Sequence, residues 1–249
     1  MIPKIIHYCW FGGNPLPKSA EKCIASWKRF FPEYEIKEWN ESNYNVRKIP
    51  YIAEAYDKKK YAFVSDYARF DIIYHEGGLY FDTDVEVIKP FSDILTEGAF
   101  MGCEIDGTLD CAIMVNPGLG MGAPAQLSVF REIMDYYSNE HFLLGNGEWN
   151  IETVVSKTTK ILQTKGLLDI ADKQKIEGIV IYPKRYFNPR SSITGKLHKE
   201  QDTHSIHWYS MSWMTPRQKI VNTIARPIRR VLGPKCFHWI RRIEKNENN

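Results

Sequence analysis

The 249-residue sequence reads as an α/β domain with a mostly parallel central sheet, on three features. The chain opens strand–helix–strand, an order that pairs strands in parallel through a helical crossover. A helical stretch over 51–76 stops at Gly77-Gly78, as helices do when glycine follows the last turn. A segment from Leu79 to Val87 then alternates with a period of two.

The elements follow in order. Residues 3–9 form a short strand around Ile5-Ile6, and Phe11-Gly12-Gly13-Asn14-Pro15 breaks it. Over 18–31, Ala20, Cys23, Ile24, Trp27 and Phe30 recur at helical spacing. Tyr34 to Trp39 alternates as a second strand. In the 79–87 strand, Leu79, Phe81, Thr83, Val85 and Val87 share one face; Tyr80, Asp82, Asp84 and Glu86 share the other. Strands and loops are expected over the glycine-rich 98–124, helices near 124–138 and 150–165, and a short strand at Val180-Ile181-Tyr182. Residues 186–215 read as irregular. His7, inside the first strand, reads as structural.

Composition bounds the class. Hydrophobic residues are 43% and charged residues 25%, which fits a soluble globular chain and excludes wholesale disorder, collagen and coiled coil. Five widely spaced cysteines, with no CxxC, exclude a disulfide framework and a zinc ribbon and fit a reducing compartment. The N-terminus has no uninterrupted apolar core and does not read as a signal peptide, and no apolar run reaches membrane-spanning length.

The net charge of +3 divides unevenly. Residues 216–249 hold nine Lys/Arg against two acids, net +7, and the rest of the chain is net −4. The expected organisation is one domain, 1–215, and a basic tail, 216–249. In the tail, Ile220, Val221, Ile224, Ile228, Val231 and Leu232 share a helical face, with Arg226, Arg229 and Arg230 elsewhere on the wheel. Such a segment suits an anionic membrane surface rather than nucleic acid, or packs on the domain.

Chemistry concentrates in Ser65-Asp66-Tyr67-Ala68-Arg69 and Gly77-Gly78-Leu79-Tyr80-Phe81-Asp82-Thr83-Asp84. On a strand, Asp82 and Asp84 would face the same way, roughly 7 Å apart, as hard oxygen ligands for Mg²⁺ or Mn²⁺. Alone the pair is a weak signal. Asp66 and Arg69, three apart on a helix, share a face and can accept from and donate to a sugar or phosphate. With the helix ending just before the strand, Asp66, Arg69, Tyr80, Asp82 and Asp84 could surround one ligand.

This combined pattern resembles the sugar-binding region of glycosyltransferase family 32, and is similar to that of the large clostridial glucosylating toxins. Ile2 to Gly13 also resembles the family's opening strand. The resemblance implies a GT-A fold, a Rossmann-like α/β sandwich, with 1–215 as the catalytic domain, a divalent metal (Mn²⁺ or Mg²⁺) and a nucleotide-sugar donor, UDP-sugar ahead of GDP-mannose. It implies that Trp10 stacks on the base, that Asp66 and Arg69 hold the donor sugar, that Gly78 and Tyr80 line the same pocket, and that Asp82 and Asp84 bind the metal and the ribose–diphosphate. In the segment His204 to Trp213, His207 is the implied third ligand, Ser212 its competitor, and Trp213 a lid over the phosphates. Trp208 stands where a second histidine is common, so the ligand choice between His207 and Ser212 stays open. Glu104, Asp106, Asp110, Asn116 and Glu152 are candidates for acceptor-side contacts, none singled out by spacing. The expected activity is glycosyl transfer with retention to a glycan or lipid-linked acceptor, in bacterial surface polysaccharide synthesis, by a cytoplasmic protein peripheral at the inner face of the membrane. The rivals are a secreted effector glycosylating protein, a metal-dependent phosphodiesterase or nucleotide-sugar hydrolase, and a non-catalytic sugar- or nucleotide-binding module.

Overall fold

The computed structural model describes residues 1–191 and 194–210. In chain order the elements are β1 (Ile5–Cys9), α1 (Lys18–Phe30), β2 (Glu35–Trp39), α2 (Pro50–Asp57), α3 (Tyr61–Glu76), β3 (Gly78–Tyr80), β4 (Val85–Val87), α4 (Ser92–Thr96), β5 (Ala99–Ile105), β6 (Met114–Ala123), α5 (Ser128–Ser138), α6 (Val154–Thr164), β7 (Gln174–Ile176), β8 (Ile179–Tyr182), α7 (Lys184–Phe187) and β9 (Ser205–His207).

Seven strands form the central sheet in the order β2-β1-β3-β6-β5-β8-β7. Strand β1 runs parallel to β2 and β3, and β5 parallel to β8, while β6 and β7 run against their neighbours. Five of the seven strands therefore point one way, and the mostly parallel α/β sheet expected from the sequence is present. Strand alternation divides the interior into two cores. Cys9, Tyr80, Met101 and Ile181 face a core shared with α2, α3, α5 and α6. Tyr8, Leu79, Phe100 and Val180 face the other, shared with α1, α4 and α7. Each core removes large apolar side chains from water, worth roughly 1.5–3 kcal/mol apiece.

Helix α3 is buried along most of its length, with Asp66, Arg69 and Asp71 enclosed among Val64, Tyr67, Phe70, Ile72 and Ile73. It stops where Gly77 adopts φ +66°, and a Cβ there would meet Ala125 N and the Pro3 ring at 2.9 Å. His7 is structural: its Nε2 faces Gly77 O at 2.9 Å, and Trp39 Nε1 donates to its Nδ1 at 3.0 Å.

The continuous strand expected over 79–87 is not formed. It breaks after β3 into a turn over Asp82–Asp84, where Val85 N donates back to Asp82 O at 3.0 Å. Aspartates favour such turns because their side chains bond to nearby backbone. Leu79, Phe81, Val85 and Val87 still enter one core, so the alternation reads the burial correctly, with Thr83 as the exception. After the turn, β4 leaves the main sheet and pairs with β9 in an antiparallel ribbon. The Trp27 indole, fully buried, donates to Val85 O at 2.8 Å and fixes the exit. Strand β9 lies in a stretch expected to be irregular. Its one apolar residue, Ile206, leaves no periodic signal, and pairing with β4 defines it.

Among the described residues, no helix is long and apolar enough to cross a membrane. The basic tail over 216–249 lies outside the described residues.

Candidate metal and donor site

Asp66 and Arg69 sit on one face of α3, and Arg69 joins the two halves of the sequence pattern. Its guanidinium lies 2.8 Å from Asp66 Oδ1 and 3.4 Å from Asp82 Oδ1, and its Nε donates to Ser65 O at 3.1 Å. It also rests 5.1 Å from the centre of the Tyr80 ring. The Tyr80 hydroxyl donates to Asp82 Oδ1 at 3.2 Å. These contacts cluster where β3 ends and the Asp82–Asp84 turn begins, at the carboxyl ends of the parallel strands, where open α/β sheets bind ligands.

The turn, rather than strand alternation, brings Asp82 and Asp84 together. Asp82 N donates to Gly118 O of β6 at 3.0 Å. Asp84 Oδ1 lies 3.0 Å from His207 Nε2, and its Oδ2 accepts from Ser210 N at 2.7 Å. Pairing of β4 with β9 sets His207 beside Val85. Asp82, Asp84 and His207 offer ligand atoms that all lie within 4.8 Å of one another. Two carboxylates and an imidazole suit a divalent cation. Among the described residues, the buried Nδ1 of His207 has no hydrogen-bond partner.

The electrostatics are those of a tightly enclosed charge cluster. Burial raises the Asp66 carboxyl to about 6, with Asp82 adding to the rise and Arg69 opposing it. Burial also raises Asp82, against the pull of Arg69. Burial pushes Asp84 up too, but His207 and the Ser210 N–H outweigh it and hold that carboxyl well below the usual range. His207 is lowered by burial and raised by Asp84, and the raise wins. Arg69 stays charged because Asp82, Tyr80 and Asp66 outweigh its burial.

The other expected residues fall as follows. Trp10 follows β1 at the same sheet edge, half-buried, with its Nε1 donating to Asn14 O at 2.6 Å. Gly78 lies at the far end of β3 from the Asp82 turn. Its glycine is required by packing, since φ is +102° and a Cβ would meet Ile5 O at 2.7 Å. Ser212 and Trp213 lie outside the described residues. Of the acceptor-side candidates, Asn116 and Glu104 adjoin the cluster. Asn116 Nδ2 donates to Glu104 Oε2 at 2.9 Å, and Asn116 Oδ1 accepts from Gly118 N at 2.7 Å. Asp106 accepts from Lys184 N, Asp110 is exposed, and Glu152 pairs with Lys160.

Two contributors escaped sequence reasoning. Gly118 packs against Asp82 and Arg69. Its signal was the alternation Gly118, Gly120, Gly122, which presents one side-chain-free face of β6 to Asp82, Phe81 and Phe100. Ser210 contributes only its backbone N–H. Tyr209 before it adopts φ +51°, and its ring lies 4.3 Å from His207. A backbone contact leaves no signature in residue type.

Residues 17–101 match the family model described as a glycosyltransferase sugar-binding region containing a DXD motif. The matched stretch covers about a third of the chain. It contains Asp66, Arg69, Asp82 and Asp84, and ends before the strands that carry Gly118 and His207. The chain is 28% identical over 145 residues to inositol phosphoceramide mannosyltransferase 3 of Schizosaccharomyces pombe, covering 57% of this chain and 40% of that protein. It is 34% identical over 110 residues to an uncharacterized glycosyltransferase of Acanthamoeba polyphaga mimivirus, covering 40% of this chain and 42% of that one. The chain thus spans less than half the length of these relatives. Among solved structures, the PaToxG glycosyltransferase superposes with a TM-score of 0.50 at 19% identity, covering 66% of this chain and 70% of that one. This likeness bears on the fold, which is of the GT-A type.

Proposed function

We propose that the chain is a metal-dependent glycosyltransferase that moves a sugar from a nucleotide-sugar donor to a glycan or lipid-linked acceptor, with retention at the anomeric carbon. The observation that carries this reading is the junction made by Arg69, which joins the Asp66 carboxylate to the Asp82–Asp84–His207 cluster. A hydroxyl-accepting carboxylate beside a metal-type cluster is what a sugar diphosphate requires.

Each residue then has a task. Asp66 accepts from donor-sugar hydroxyls and Arg69 donates to the sugar or phosphate oxygens. Trp10, its ring fixed by the bond to Asn14, supplies a stacking face for the nucleotide base, worth about 1–3 kcal/mol. Asp82, Asp84 and His207 hold the cation, Mn²⁺ ahead of Mg²⁺ because of the imidazole. A cation so held supplies electrostatic stabilisation to the departing nucleoside diphosphate. Ser212 and Trp213 are assigned to the donor phosphates by the family resemblance alone. The acceptor side is assigned to Glu104 and Asn116, which adjoin the cluster from β5 and β6.

The setting proposed is bacterial surface polysaccharide synthesis at the cytoplasmic face of the membrane, with the basic tail drawn to anionic lipid. The test is a donor panel: UDP-hexoses, UDP-N-acetylhexosamines and GDP-mannose, each with Mn²⁺, read by nucleoside diphosphate release. GDP-mannose belongs in it because one relative is named a mannosyltransferase. Selective, Mn²⁺-dependent release from one donor is expected. Binding of donor with no release from any member would leave a binding module and contradict the reading.

A further inference from the structure

Asn188 follows α7 and is fully buried. Its main chain is fixed there. The N–H closes the α7 turn on Lys184 O at 2.8 Å, and the neighbouring Phe187 packs onto Gly102 of β5, where a Cβ would run into the ring. The side-chain Nδ2 donates to Glu104 O of β5 at 3.3 Å and to the Tyr209 hydroxyl at 2.5 Å. Glu104 O can only accept, which sets the orientation of the amide. Among the described residues, the buried Oδ1 of Asn188 has no hydrogen-bond partner. A buried acceptor left unmade costs stability, so the amide is kept for what its Nδ2 holds.

It holds the bend that closes on Asp84. After β9 the chain meets this residue at three points. His207 Nε2 lies 3.0 Å from Asp84 Oδ1, Trp208 N donates to Asp84 O at 2.9 Å, and Ser210 N donates to Asp84 Oδ2 at 2.7 Å. Tyr209 sits inside the bend with φ +51°, a left-handed backbone that a non-glycine residue keeps only where its surroundings hold it. Its ring meets the His207 imidazole edge-on, with centres 4.3 Å apart and planes at 64°. The bond to Asn188 fixes the hydroxyl end of that ring and ties it to β5.

We propose that Asn188 is a positioning residue for His207, acting through Tyr209: anchored on Glu104 O, it holds the Tyr209 ring against the imidazole and keeps His207 and the Ser210 N–H closed on Asp84. That His207 then serves a divalent cation rests on the function proposed above. Partners behind a metal ligand fix its orientation and are worth about 10–100-fold in metal affinity.

The test uses Mn²⁺ alone, on the full chain without donor, so it reads the site and not turnover. EPR of free Mn²⁺ gives Kd for wild type, N188L, Y209F and the double variant, each checked for folding by thermal melting. Y209F removes one oxygen and keeps the ring. Kd is expected to rise about tenfold in each single variant. The double variant is expected to bind no more weakly than N188L, because both changes break one tether. Pulsed EPR of bound Mn²⁺ is expected to show a nitrogen coupling from the His207 imidazole in wild type, lost in both single variants. A wild-type Kd in folded N188L or Y209F, losses that multiply in the double variant, or an unchanged nitrogen coupling in the weakened variants overturns the proposal. Should N188L fail to fold, Y209F decides by the same two readouts. A wild type that binds no Mn²⁺, or binds it without nitrogen coupling, overturns the proposal together with the cation site, whereas normal wild-type binding with unaffected variants overturns the proposal alone.

Discussion

Gly118 and Asp82 stand so close that a Cβ on residue 118 would lie 2.0 Å from Asp82 Oδ2 and 2.8 Å from an Arg69 guanidinium nitrogen. The main chain of β6 therefore forms one wall of the carboxylate cluster. Gly118→Ala is expected to push Asp82 off Arg69 and out of register with Asp84. A displacement of about 1 Å at such a site costs on the order of 100-fold in rate. Donor turnover at saturating Mn²⁺, compared with thermal melting, checks this: turnover should fall while the fold is retained.

The Asp66–Arg69–Asp82 group predicts a non-additive stability pattern. Arg69→Met leaves the buried Asp66 carboxyl and the partly exposed Asp82 carboxyl without the guanidinium they share, and should destabilise the chain by about 3–5 kcal/mol. Adding Asp66→Asn removes one of those charges and should recover part of the loss. Urea denaturation of the two single variants and the double measures the coupling. Strict additivity would contradict the junction role of Arg69.

Two buried groups give opposite pH dependences of stability. The folded-state value of His7 is lowered from 6.5 to about 4, by burial first. Below pH 6.5 the unfolded chain protonates this group while the folded chain does not, so His7 removes stability as pH falls toward 4. Asp66 is raised from 3.8 to about 6, again by burial first. Between those values the folded state binds the extra proton, so Asp66 adds stability as pH falls. Each contribution is at most about 3 kcal/mol. Melting of the metal-free chain between pH 4 and 6.5 should show H7Q losing the acid destabilisation and D66N losing the acid stabilisation. Identical slopes in both variants would refute the assignment.

The tail carries a separate prediction. A chain ending at residue 215 should lose co-sedimentation with vesicles containing phosphatidylserine while keeping Mn²⁺-dependent turnover of a soluble donor. Binding by the full chain should weaken as salt rises, because each basic residue near the surface contributes about 1 kcal/mol of screened attraction. Equal sedimentation of both chains would remove the tail from membrane binding.

How much of this was legible depended on the range of the interaction. Asp66 and Arg69 could be read from helical spacing because one turn brings them together, and Gly77 marked the helix end by its backbone demand. Tyr80 and Leu79 could be assigned opposite faces by alternation. The proximity of Asp82 and Asp84 was expected for the wrong reason, since a turn joins them and the strand does not continue. Strand β9 and the wall at Gly118 were not legible, because pairing with β4 and antiparallel packing on β3 bring together residues far apart in sequence. Ser210 acts through its backbone, which any residue there could supply.

The central claim is that Asp82 and Asp84 form one functional cluster with the donor-sugar residues. Mn²⁺-stimulated nucleoside diphosphate release from the best donor of the panel, measured in wild type, D82A and D84A at matched folded concentration, tests it most directly. Release that rises with Mn²⁺ in wild type and stays at background in both variants is predicted. Wild-type release and an unchanged Mn²⁺ dependence in either variant would contradict the account.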